Sequence, residues 1–385
     1  MPALASKEYC TGCTACASTC PKCCIAMVAD ENGFLFPVVD AQKCVSCGLC
    51  ERSCPVIGVP RTLKTQPSAY AAYTKDETVR QNSSSGGIFT EIAKVVLQHG
   101  GAVFGAAYNR YFEVVHICTE NEQDLAKLRG AKYAQSDLNS VFTRTKQKLD
   151  AGQEVLFSGT PCQVAGLKAF LCKDYENLLT VDFVCHSVPS PMAWREYVKY
   201  RAEQDNGGEL PESINLRSKI TGWSRYQYSN LFEYANNPNH IAKSGESLYM
   251  KLFVGGYINR ESCENCRFKG YSRVSDLTIG DFWGIWDIAP ELDDDKGISV
   301  VLVQSRKGKE IFDLIKQCCL IRTVSLEEAS AQNQSILKSS PSNVRRAEVL
   351  QLTQSGDFER CKELFATPKA GLGKKILRKL KALFP

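Results

Sequence analysis

Cysteine spacing constrains this chain more than any other feature of it. Cys10, Cys13, Cys16 and Cys20 are spaced C-x2-C-x2-C-x3-C, and Pro21 follows. Cys44, Cys47, Cys50 and Cys54 repeat the spacing and are followed by Pro55. Two such runs, each closed by a proline, are not coincidence. Three thiolates in a tight loop can cap three irons of one cube, with the loop amides turned toward its sulfides. The proline then turns the chain away after the fourth ligand.

This is the run of the two-cluster bacterial ferredoxins, in which the fourth cysteine of each quartet ligates the other cluster. It predicts one [4Fe-4S] cluster on Cys10, Cys13, Cys16 and Cys54, and a second on Cys44, Cys47, Cys50 and Cys20. Zinc also accepts four thiolates, but its motifs pair two cysteines and then two more. Cys23 and Cys24 read as packing thiols, with lining of a cluster as the alternative. Phe34–Val38, between the quartets, reads as a short strand that would cover the clusters from solvent.

The chain has nineteen cysteines in 385 residues. Its start lacks a basic region followed by an apolar run, so no secretory signal is read and the expected location is the cytoplasm. Cys118, Cys172, Cys318, Cys319 and Cys361 have no regular spacing and read as small buried hydrophobes. Hydrophobic content of 44% and charged content of 23% are those of a soluble globular protein. No apolar run is long enough for a transmembrane helix. The net charge of +5 sits largely in the C-terminal tail and does not argue for nucleic acid.

Residues 1–60 read as the ferredoxin-type, α+β two-cluster module and 61–67 as a linker. Residues 68–320 read as an α/β domain, 321–368 as a helical extension and 369–385 as a basic amphipathic tail. Within the α/β segment, strands are expected at Ala69–Tyr73, Ala102–Tyr108, Val114–Cys118, Glu154–Phe157 and Leu178–Val184, alternating with helices. Two loops after strands end in cysteine, at Cys162 and at Cys185, and Cys263 and Cys266 form a C-x-x-C pair. These four can gather into a third [4Fe-4S] site, although a C-x-x-C pair also suits zinc or a thiol–disulfide couple. His186 is a candidate metal ligand or catalytic proton donor, against the ordinary role of a structural hydrogen-bonder. His99, His116 and His240 have no motif context.

Neither a G-x-G-x-x-G fingerprint nor a P-loop is present, so a nicotinamide or nucleoside-triphosphate site has no support. Ser84–Gly87 and Ser158–Thr160 open helices and can present backbone amides to a phosphate; ordinary turn chemistry accounts for them too.

Taken together, the motifs resemble the beta subunits of the coenzyme F420 hydrogenase/dehydrogenase family. The stretches that carry the resemblance are Ser84–Gly87, Leu128–Tyr133, Ser158–Gln163, Cys185–Pro191, Cys263–Cys266 and Asp276–Gly284. Ser187 stands where the family pattern leads one to expect glycine. The resemblance covers about residues 1–310 and implies a flavin, FAD before any other, in an α/β flavin/iron–sulfur domain. The flavin-contact candidates are Ser84, Ser85, Gly86, Gly87, Lys132, Ser158, Gly159 and Thr160. It also implies oxidation or reduction of a small organic substrate, either a coenzyme F420-like deazaflavin or a polysaccharide-pathway intermediate. A redox partner protein is expected, either a ferredoxin or a hydrogenase or dehydrogenase subunit. A flavin suits such a chain because clusters move single electrons whereas a hydride carries two. The other reading is a non-catalytic electron-transfer subunit that relays electrons to a partner enzyme.

The stretch 369–384 has six basic residues and no acid. Leu372, Ile376, Leu380 and Leu383 recur at helical spacing, so the tail suits an anionic membrane surface at the inner face of the cell membrane, or a docked terminal helix.

Overall fold

The computed structural model describes residues 2–58 and 66–365. Most of the expected linker and the whole basic tail lie outside the described residues. Among the described residues no helix is long and apolar enough to cross a membrane.

The N-terminal module carries one hairpin, β1 (Ile25–Ala29) and β2 (Leu35–Val39), paired antiparallel with Ile25 opposite Val39. The aromatic residues around β2, expected to shield the clusters, pack on a cation from the next domain: the Arg260 guanidinium lies 4.2 Å from the Phe36 ring centroid. Val38 remains exposed.

The α/β domain is built on eight strands: β3 (Ser68–Thr74), β4 (Ala102–Tyr108), β5 (Val114–Thr119), β6 (Val155–Gly159), β7 (Leu178–Phe183), β11 (Leu277–Asp281), β12 (Ser299–Val303) and β13 (Cys319–Val324). Their order is β13-β3-β12-β11-β7-β6-β4-β5. The links β11–β7, β7–β6 and β6–β4 are parallel and the outer ones antiparallel. Ser-Val-Val-Leu-Val of β12 is buried along its whole length, as a strand covered on both faces must be. A separate antiparallel sheet joins β8 (Ser213–Ser218), β9 (Ser229–Glu233) and β10 (His240–Lys243).

The helix Ile88–Gln98 buries Ile88, Ile92 and Val96, one turn apart, on the main sheet. The helix Pro161–Leu171 starts where Thr160 and Gln163 form a reciprocal capping box, with proline at the first position. β13 runs across residue 320, so the sheet continues into the segment expected to be a helical extension. The helices Arg346–Gln354 and Phe358–Glu363 follow only later.

The ferredoxin-type module shares its core with the α/β domain. Cys13, Ala15 and Val56 pack in one apolar cluster with Leu138, Phe142 and Val164. A chain this short between its clusters cannot bury enough surface alone, and the neighbouring domain supplies the rest.

Candidate metal centres and the adjoining cavity

The two cysteine quartets fold alike. Gly12 and Thr14 of the first loop have φ of 67° and 64°, and Ser46 and Gly48 of the second have 53° and 70°. Left-handed backbone at matching positions curls each loop around its thiols, and at Thr14 and Ser46 it does so against the side chain's preference. Cys20 lines a small pocket together with Cys44, Cys47 and Cys50. Cys54 instead faces Cys16, whose thiol it helps to push up to about 12 after the larger effect of burial. Each fourth cysteine thus sits with the opposite quartet. The turns that carry the exchange are joined by a bond from Ser53 Oγ to Thr19 Oγ1 of 3.2 Å.

Cys24 fits the packing role, in one apolar cluster with Ile25 and Cys50, while the exposed Cys23 does not. Cys24 is buried with its Sγ 3.3 Å from Cys20 Sγ, and it lines the pocket of the second quartet. Cys23 is exposed, at φ 47°. Of the five irregular cysteines, Cys319 and Cys361 are buried and Cys118 is partly so. Cys172 and Cys318 are exposed, contrary to expectation: Cys172 ends a helix at φ 58°, and Cys318 closes the 3-10 turn before β13.

A third set of thiols gathers at the carboxyl ends of the parallel strands, where open α/β sheets place their ligands. Cys162 is the second residue of the helix after β6, and Cys185 follows β7. The Cys263–Cys266 segment is held against the Cys185 loop by Arg260 N to Val188 O (2.8 Å) and by the Pro189–Asn259 bridge. Burial, and then thiol neighbours from this same set, push Cys162, Cys185 and Cys263 up to about 12. Among the described residues no group of three His, Cys, Asp or Glu is gathered as tightly as a single metal ion requires. A cube of irons asks for a wider ring of thiolates, with cationic charge to offset their burial.

The first and third sets meet across one helix. Cys13 packs on Gly166, one turn along from Cys162. Arg260, 3% exposed, closes the same seam. Its Nε donates to Cys10 O (2.9 Å), its Nη2 to Leu35 O (3.0 Å) and its Nη1 to Gln135 Oε1 (2.8 Å). The gathering of Cys162 and Cys185 was legible in the sequence; Arg260 and Gly166 were not.

Beside the third set opens a cavity of about 600 Å³, within the range of cofactor sites. Cys162 and Cys185 lie in its wall. So do Ser84, Ser85, Gly87, Lys132, Ser158, Gly159 and Thr160. Gly86 does not: its amide donates to Ser299 Oγ (3.0 Å), and a Cβ there would lie 2.4 Å from Ala72 O. Gly86 is glycine so that the loop can approach the sheet. Lys132 turns its ammonium to the carbonyls of Lys127 (3.0 Å) and Arg129 (2.6 Å), bracing the loop that closes the cavity. His186 lines the wall, but its Nδ1 meets Ser335 Oγ (3.3 Å) and its Nε2 meets Ser340 Oγ (2.7 Å). Both ring nitrogens are therefore engaged, and burial holds the imidazole below its ordinary pKa.

The wall also carries Arg217 and Tyr228, which have no motif behind them, and Asp281 and Trp283 from the Asp276–Gly284 stretch. Arg217, 4% exposed, pairs with Asp281 (2.8 Å) and lies 3.9 Å from the Tyr228 ring and 5.0 Å from Trp283. Among the described residues its Nε has no partner, and neither have Thr11 Oγ1, His116 Nδ1 and Ser187 Oγ, all on residues that line the cavity. Unmet buried polar groups in a cavity of this size fit a large polar ligand of the flavin kind.

Paired thiol loops docked on a mixed α/β sheet define an iron–sulfur electron-transfer protein of the oxidoreductase type. The chain belongs to the coenzyme F420 hydrogenase/dehydrogenase family, as one of its beta subunits. Residues 69–143 match the N-terminal part of that subunit and 152–329 its C terminus, and residues 36–60 match a 4Fe-4S binding domain. The chain is 25% identical over 266 residues to a subunit of the F(420)H(2) dehydrogenase of Methanosarcina mazei, covering 64% of this chain and 75% of that one. It is 23% identical over 361 residues to the coenzyme F420-dependent sulfite reductase of Methanocaldococcus jannaschii. That match covers 85% of this chain but only 50% of the reductase. Among solved structures, the F420-reducing [NiFe] hydrogenase complex of Methanosarcina barkeri contains a chain that aligns at 16% identity and a TM-score of 0.48. The alignment covers 78% of this chain and 93% of that one.

Proposed function

We propose that this chain is an iron–sulfur flavoprotein oxidoreductase. In this reading it takes electrons from, or gives them to, a redox partner protein at its ferredoxin-type module. It oxidises or reduces an organic substrate, a coenzyme F420-like deazaflavin or a polysaccharide-pathway intermediate, in the cavity of the α/β domain. The observation that carries the reading is continuity: Cys13 against Gly166, Cys162 one turn away, and Cys162 and Cys185 in the cavity wall.

Cys10, Cys13, Cys16 and Cys54 would hold one [4Fe-4S] cluster, and Cys44, Cys47, Cys50 and Cys20 a second. Cys162, Cys185, Cys263 and Cys266 would hold a third. A bound flavin would supply the interchange between single electrons and a two-electron hydride. The residues of the chain do the rest. The Ser158–Thr160 turn and the Ser84–Ser85 loop frame the cavity, and Arg217 offers a buried guanidinium to an anionic or carbonyl oxygen. Tyr228 and Trp283 give it flat apolar walls. His186 is a wall residue held in place by the hydroxyls of Ser335 and Ser340, one against each ring nitrogen. The module's partner is a ferredoxin or a component of a hydrogenase or dehydrogenase, in keeping with the names its relatives carry.

The test is iron, acid-labile sulfide and flavin per chain after reconstitution without oxygen. About twelve irons and one flavin are expected from three cubes and one cavity. Eight irons without flavin would overturn the oxidoreductase reading and leave an electron relay.

A further inference from the structure

Positive charge is spread unevenly over the three thiol sets, and it rises toward the cavity. Lys269 reaches into the loop of the third set, where its ammonium donates to Cys185 O, to Ser335 O (3.0 Å) and to His186 O (3.4 Å). Arg260 lies between the first and third sets: its guanidinium donates to Cys10 O, and its own carbonyl accepts from Cys263 N (3.1 Å). The hydrogen-bond partners of both cations are carbonyl or amide oxygens, so among the described residues neither is paired with a carboxylate. A further cation, Arg273, faces Asp182 (3.8 Å) and is compensated by it.

These charges act on the third set. Burial pushes the Cys185 thiol up and Lys269 works against it, as Arg260 does for Cys162 and Cys263. Cys162 is also the second residue of the helix Pro161–Leu171, whose N-terminal end adds partial positive charge. The module has nothing comparable of its own. The charged neighbours of Cys13 and Cys16 are all thiols. Lys22 and Lys43, near the second set, are exposed, and Lys43 pairs with Asp40 (2.9 Å). Water and salt screen charges of that kind.

Four thiolates on an oxidised [4Fe-4S] core leave a net anion, and reduction adds one more negative charge. Nearby uncompensated cations therefore favour the reduced form. Lys269 and Arg260 both serve the third set, the first set shares only Arg260, and the second relies on water at the exposed Cys47. Fixed cations in a buried site act through a lower dielectric and outweigh that water.

We propose that Lys269 and Arg260 place the reduction potential of the third [4Fe-4S] site above those of both sites in the module. An electron that enters at the Cys47 end then comes to rest beside the cavity, and the chain works as a reductase of its organic substrate. The reductant is a low-potential one-electron carrier protein. Two carriers give up one electron each, and the substrate gains two electrons and takes up two protons from solvent. Lys269 acts through its field on the cluster and does not touch the substrate. This inference rests on the reading that all three thiol sets hold clusters.

The full chain, reconstituted without oxygen, is titrated with a reductant while electron paramagnetic resonance follows each cluster. The signal absent from Cys263→Ala identifies the third site. In the unmodified protein that signal is expected to appear first. Lys269→Met keeps the reach of the side chain and loses its charge. It is expected to move that signal alone to lower potential, with iron content unchanged, whereas Lys269→Arg should leave the signal in place. The inference is overturned if the third signal appears after either signal of the module, or if Lys269→Met leaves its potential where it was. The order in the unmodified protein decides the matter even if Lys269→Met does not fold. Fewer than about twelve irons in the unmodified protein would instead overturn the underlying reading of three clusters.

Discussion

A Cβ placed on Gly166 would lie 2.8 Å from Cys13 Cβ and 2.9 Å from its Sγ. Gly166 is helical and has no positive φ, so the requirement is one of space rather than backbone conformation. The helix gives up a side chain so that a ligand of the first quartet can lie on it, one turn from Cys162. Gly166→Ala gains at most about 1 kcal/mol of helix propensity. Against this, overpacking a filled contact costs about 1–3 kcal/mol, and the displaced neighbour is a cysteine in a strained loop. Lower thermal stability and a loss of about four irons are expected. Unchanged iron and melting would mean that the Cys10–Cys16 loop is not fixed to this helix.

Arg260 is the second fastening of that seam. Its three bonds go to Cys10 O, Leu35 O and Gln135 Oε1, two of them on the module. Arg260→Ala leaves one buried and two partly buried acceptors unmet and is expected to destabilise the protein by about 3 kcal/mol in denaturant unfolding. Arg260→Lys, with a point charge in place of the planar fork, can satisfy fewer of them and should fall between. If the alanine variant unfolds like the unmodified protein, the module is held by its apolar contacts alone.

Such fastenings explain how much was readable beforehand. Each quartet packs three cysteines into seven residues and is local, so spacing alone sufficed to expect two such loops. The strand–helix alternation from Ala69 to Val184 was equally local. Strand order depends on long-range pairing, such as β12 against β3, and no local pattern carries it. Arg217 and Arg260 find their partners 64 to 250 residues away; within their own segments they look like any surface arginine. Gly86 was misread because a glycine beside serines suggests amide presentation, whereas the reason for it is the nearby Ala72 carbonyl.

Acid sensitivity should trace in part to His116. Its Nε2–H donates to Ser158 O (3.1 Å), and burial holds its pKa down from 6.5 to about 4. Between those values the unfolded chain binds a proton that the folded chain does not, so stability rises with pH through this window and is lost as pH falls. The difference corresponds to about 2 kcal/mol between pH 7 and pH 5. His116→Gln, which can keep the donor to Ser158, is expected to remove most of that difference in unfolding measured at the two pH values. An undiminished pH dependence would assign the acid sensitivity to other groups.

The third thiol set decides whether the module and the cavity form one electron path. Cys162→Ala and Cys263→Ala remove one thiol each from the set, and each is expected to lose about four irons. The other eight should remain, because neither residue lies in the two quartets. If the path runs through this set, a one-electron donor acting on the module should no longer reduce flavin in the cavity. Direct photoreduction of that flavin should persist, which separates a broken path from a lost flavin. Full iron with unchanged reduction in both variants would show that these cysteines hold no cluster. Loss of iron with unchanged reduction would show that electrons reach the cavity by another route, for which the Cys10–Thr11 turn offers one, since Thr11 lines the cavity directly.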